Sequence, residues 1–219
     1  ADDASNNEAE NLNTKSVKRG QTIYYQVWLD TTKFDANNKD NIQTVGITDD
    51  YDEAKLDVKV ADIKAYDGKT GADVTDKFDI SIANGVITAN LKPGFTKSLG
   101  DAENTQIIDT TKFEFGRYYK FVIPAKVTDG AYDGAEIENT AAQVVNYYNP
   151  TTKTVEKPNK PTEKRVNNVP TAIELIFGKT LNGRKLQDKE FTFELKDEKG
   201  NVLETVKNDA EGKVKFSTI

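Results

Sequence analysis

The chain has 219 residues, of which 36% are hydrophobic and 30% charged, with a net charge of -6. That length suits one large domain or two medium ones with real cores. It contains no His, Cys or Met, which removes histidine bases, thiol nucleophiles, disulfides and the usual zinc and copper ligands. Acidic and basic residues are interspersed, which argues against a nucleic-acid partner, and the apolar runs are too short to span a membrane. No sorting signal is visible and residue 1 enters mid-pattern, so the chain reads as a fragment.

Residues 1–14 are polar and acidic without periodicity and read as a loosely held leading segment. Gly20 marks a turn into QTIYYQVWLDTT, where residues 22–29 are strongly β-prone and Trp28, the only tryptophan, is expected to anchor the core. Residues 33–41 suggest a helical turn. IQTVGI (42–47) is a short strand running into TDDYDEAKLDV, and residues 56–66 alternate apolar and polar. FDISI, the Asn84-Gly85 turn and VITANL form a hairpin. Residues 94–109 read as a crossover. FGRYYKFVIPAKV (115–127) is a strand whose Pro124 suggests an edge or bulge. IENTAAQVVNYYN (137–149) is the pivotal strand, with Asn139 among apolar and small neighbours. An Asn there must find hydrogen-bond partners or react.

This spacing of short strands and turns predicts an all-β fold of tandem immunoglobulin-like β-sandwiches, the second incomplete. The domain reading is a β-sandwich over 1–152, a Pro- and Lys-rich linker over 153–170 and the first part of another sandwich over 171–219. In that last part four strands carry apolar faces (Ile173, Leu175, Phe177; Phe191, Phe193, Leu195) with nothing left in the chain to cover them.

Without His or Cys, carboxylates and lysines carry whatever chemistry there is. In TDDYDE, alternation puts Asp49 on one face and Asp50 on the other, so one of them points inward, where burial raises its pKa. An inward protonated Asp near an inward Asn permits one reaction: a desolvated Lys amine attacks the Asn side-chain carbonyl, ammonia leaves, and a Lys–Asn isopeptide bond remains. It requires no cofactor. A second reading of the same oxygens is calcium, held by Asp49, the Tyr51 carbonyl and Glu53.

VKRGQTIYYQVWLD, VGITDDYDEAKLDV and IENTAAQVVNYYNP resemble the C-terminal isopeptide-forming domains of streptococcal antigen I/II adhesins, a resemblance extending over residues 1–157. It implies Asp50 as the assisting acid and Asn139 as the acceptor. It also places the donor Lys on the first strand, upstream of Ala1, with Lys15 and Lys18 as alternatives. GKTLNGRKL and EFTFELKDEKGNVLETVKNDAEGKVKF resemble the first strands of Gram-positive pilin-like isopeptide domains, implying Lys179 as donor with partners beyond Ile219.

The resulting reading is a non-enzymatic stalk segment of a surface adhesin, extracellular and anchored to the cell wall of a Gram-positive bacterium. Its partner is a host or bacterial surface receptor (protein or glycoprotein) engaged through the parent adhesin, with no nucleic acid and no membrane contact by this segment. The alternative is a ligand-binding head domain; a glycosidase with paired carboxylates ranks third, for want of an aromatic-rich cleft.

Overall fold

Strict alternation shapes the first strand: Ile23, Tyr25, Val27 and Leu29 are buried while Thr22, Tyr24 and Gln26 face outward. The computed structural model describes residues 11–32, 41–157, 163–170 and 175–216. The chain divides into two units, Ala1–Pro170 and Thr171–Ile219.

In the first unit the strands are β1 (Thr22–Asp30), β2 (Ile42–Tyr51), β3 (Leu56–Val58), β4 (Lys64–Asp67), β5 (Phe78–Ala83), β6 (Val86–Leu91), β7 (Thr96–Ser98), β8 (Gln106–Ile108), β9 (Tyr118–Val127), β10 (Glu136–Asn149), β11 (Thr154–Glu156) and β12 (Glu163–Asn168). One sheet sets β9 between β1 and the pair β3 and β4; the other runs β11-β10-β2-β6-β5, with β12 also paired to β10. The inward rows of both sheets, among them Val27, Leu29, Val45, Ile47, Ile87, Phe121, Ile123 and Ile137, form one core. The unit is an all-β sandwich.

Several expectations change on contact with this architecture. Trp28 lies on the outer face of β1, only partly buried, edge-on to Tyr118 and with the Lys120 ammonium 5.6 Å from its ring centroid. Its even position puts it out of phase with the buried odd row, so it does not anchor the core. Pro124 lies in a central strand, not an edge. On one flank it pairs with Tyr24; on the other it falls between the β3 register, ending at Ala125, and the β4 register, starting at Val122. A missing N–H is tolerated where that flank changes partner. The expected linker 153–170 carries β11 and β12, both paired to β10. Asn84 and Gly85 have φ of 49° and 74° in the β5–β6 turn, the left-handed conformations a two-residue hairpin needs. The helical turn read into 33–41 falls on residues that, apart from Asn41, lie outside those described.

The second unit has β13 (Ile176–Gly178) paired with β16 (Lys213–Lys215), and β14 (Thr192–Lys196) paired with β15 (Val202–Lys207). Val214 and Phe216 are buried, while Phe177, Val202 and Leu203 are at least half exposed. Asn208 ties the strands together: its Oδ1 accepts from the Phe191 amide and its Nδ2 donates to the Gln187 and Asp209 carbonyls.

Candidate cross-link site

β2 and β10 run antiparallel with Asn139 opposite Tyr51 and Ala141 opposite Asp49. Asp49 and Asn139 are therefore diagonal neighbours on the inward face, a separation short polar side chains can bridge. Asn139 Nδ2 donates to Asp49 Oδ2 at 2.8 Å, with Asp49 and Asn139 only 0% and 2% exposed. Burial pushes the Asp49 carboxyl up to about 6, against the opposing pull of the Asn139 hydrogen bond and with a further upward push from Asp50. The protonated form is thus accessible near neutrality.

Tyr25, on the inward row of β1, completes the setting. Burial pushes its phenol up, and the negative charges of Asp49 and then Asp52 add to that. The Tyr25 hydroxyl, Asp49 Oδ1 and Asn139 Oδ1 are all buried without a hydrogen-bond partner. Orphaned buried polar atoms each cost about 1–3 kcal/mol, so a sandwich that gathers three of them presents strong acceptors to any donor reaching the pair. A carboxyl held at the carboxamide nitrogen can pass a proton to a departing ammonia.

The aspartate buried beside Asn139 is Asp49, not Asp50, the residue expected to point inward. Asp50 is exposed, pairs with Thr140 across the ladder and faces an acidic groove lined also by Asp52, Glu53, Glu136 and Glu138. The signal was present in the sequence: Val45 and Ile47 share the phase of Asp49, and an apolar pair fixes the inward face. Tyr25 was missed for a similar reason, because a tyrosine in an apolar row reads as packing.

Of the calcium trio, Asp49 and Tyr51 share the buried face of β2, while Glu53, beyond the end of that strand, is exposed and lies against Gly85. Among the described residues no group of three or more acidic side chains converges as a metal site. Lys15 and Lys18 are exposed, and none of the described lysines is fully buried, so the described residues place no amine in the core. Lys179 is partly buried in the second unit, its ammonium 5.0 Å from the Phe191 ring centroid.

Residues 2–159 match the model of the cell surface antigen I/II C2 terminal domain. The aggregation substance of Enterococcus faecalis is 26% identical over 163 residues, 66% of this chain but 11% of that protein. The major pilin subunit of Bacillus cereus superposes with a TM-score of 0.54 at 19% identity, over 96% of this chain and 53% of the pilin. The C-terminal domain of an antigen I/II polypeptide of Streptococcus agalactiae has a TM-score of 0.49 at 17% identity, over 82% of this chain and 54% of that one. The chain thus spans about a tenth of its curated relative and about half of each solved structure. No helix among the described residues is long and apolar enough to cross a membrane. With the match covering most of the chain, it belongs to the cell surface antigen I/II C2 terminal domain family, and it shares the fold of the pilin subunit.

Proposed function

We propose that this chain is a structural stalk segment of a wall-anchored adhesin, in which Asp49 and Asn139 form the acceptor half of an autocatalytic Lys–Asn cross-link. The observation that carries the reading is the buried pair itself: a carboxyl raised to about 6 at 2.8 Å from a carboxamide nitrogen, each side chain retaining an unpartnered oxygen. A neutral lysine amine supplied from outside the described residues attacks Asn139 Cγ. The new C–N bond replaces Cγ–Nδ2, the proton shed by the amine reaches the leaving nitrogen through the Asp49 carboxyl, and ammonia departs. The chain turns over once and on itself, so it is not an enzyme. In the second unit Lys179 is the corresponding donor. Partner recognition by a host or bacterial surface receptor then belongs to the parent adhesin.

Intact mass tests the reading on a protein extended upstream of Ala1. A deficit of one ammonia, lost in Asn139→Ala and in Asp49→Ala but retained in Asp50→Ala, is expected. A full, unreduced mass in the extended protein would leave the pair as packing only.

A further inference from the structure

The two ends of the first unit are bonded to each other. Thr14 N–H donates to the Val166 carbonyl at 2.7 Å and Val17 N–H to the Asn168 carbonyl at 2.9 Å, while Asn168 N–H reaches the Lys15 carbonyl at 3.4 Å. Ser16 and Asn168 form a parallel bridge. Side chains reinforce the join: Val166 N–H donates to Asn13 Oδ1 at 3.0 Å, and Asn167 Nδ2 donates to the carbonyls of Leu12 at 2.5 Å and Lys15 at 3.1 Å. Asn167 is 2% exposed, and Val17 and Val169 are buried on either side of it. β12 therefore lies between β10 and the entry segment, as a strand with both edges occupied.

Parallel alignment decides how tension acts here. Residue 11 leaves one end of the paired stretch and residue 170 leaves the other, so pulling the unit by its ends slides the two segments past each other. All the bonds are then loaded together; in a peeling geometry they would break one at a time. We propose that the entry segment 11–17 and β12 form a shear clamp that carries tension directly between the ends of the unit before its sandwich core is loaded. The proposal rests on the stalk reading but requires no cross-link.

The chain has no cysteine, so cysteine handles can be placed at will on the full chain for single-molecule pulling. Handles at Asn11→Cys and Pro170→Cys load the clamp in shear. Handles at Lys18→Cys and Pro170→Cys load the same bonds from one end. The shear geometry is expected to need at least about twice the force of the peeling one, since rupture under load follows the unfolding barrier. Asn167→Ala should lower the shear force by roughly a third, whereas Val145→Ala, which thins the core on β10, should lower the Tm at least as much with little change in force. Equal forces in the two geometries, or forces that simply track Tm across the variants, overturn the clamp. The length released reports separately on the cross-link: an unlinked unit frees roughly 500 Å of chain, and a covalent link within it frees much less, whatever the force.

Discussion

Two buried carboxylates in the first unit meet opposite fates. Asp67, at the end of β4, accepts from Arg117 Nη1 at 2.6 Å and from the amides of Lys69 and Thr70 at 2.8 and 3.2 Å. Burial pushes it up, but the Arg117 hydrogen bond, those two amides and the guanidinium charge together hold it below the ordinary carboxylate range. Asp49 has one neutral donor, an unpartnered second oxygen and no described cation, and its pKa goes the other way. Asp67 is matched to stay charged and fix a turn. Asp49 is held in a state that favours its proton, the state the proposed cross-linking step calls for.

Breaking the matched pair should have the largest effect. Arg117→Ala strands the Asp67 carboxylate at a site where the side chains of Arg117 and Asp67 are 16% and 11% exposed. Removing one partner of such a pair costs about 3 kcal/mol, or roughly 6–12 °C in the Tm of a unit this size. Trp28 is the only tryptophan and sits on β1, so its fluorescence reports the transition of the first unit alone.

Acidity should separate the two carboxylates next. Asp49 binds its proton more tightly folded, about 6, than at its ordinary 3.8. Its contribution is therefore fully present below about pH 4 and lost as pH rises through 6, a difference of about 3 kcal/mol. Asp67, held low, works in reverse: its contribution is present above the ordinary carboxylate range and lost as pH falls below it. The first transition should therefore melt higher at pH 4.5 than at pH 7. Asp49→Asn should flatten that slope, and an unchanged slope in the variant would assign it to another group.

Removing Asn139 should have a smaller effect, about 1–2 kcal/mol for the lost hydrogen bond and the acceptor left bare. Its hydrogen bond lowers the Asp49 pKa, so Asn139→Ala should also move the midpoint of the pH dependence upward. Both shifts are read from the same melting series.

Much of this site was legible before the fold was known. Asn139 stood out as a polar residue on an apolar strand, and the TDD run pointed to an inward acid. The hairpin at Asn84-Gly85 was readable because its turn chemistry is local. What escaped notice depends on long-range pairing. β11 and β12 bury little of their own side chains, with Thr154, Val155 and Glu156 all exposed, and they exist because β10 is 14 residues long and offers an edge to each. A stretch held by polar bonds rather than an apolar row carries no apolar pattern, so prolines and charges made it look like a linker. Trp28 misled in the same way, since residue type was weighed above phase.

The smallest effect tests which of two adjacent aspartates is the acid. Asp50 points outward from β2 into a groove it shares with Asp52, Glu53, Glu136 and Glu138, where a carboxylate keeps its water and has like-charged neighbours. Replacing it removes no buried contact, so Asp50→Asn should shift stability by no more than about 0.5 kcal/mol. It should, however, touch the site electrostatically, because the Asp50 charge is one of the influences raising Asp49. The expected result is an almost unchanged Tm at pH 4.5 with the pH midpoint displaced slightly downward. Asp49→Asn, one residue away, should instead abolish the midpoint altogether. If the two variants behaved alike, or if Asp50→Asn were the one that flattened the profile, the strand would have to be shifted by one residue in the folded protein, which the buried Val45 and Ile47 do not permit.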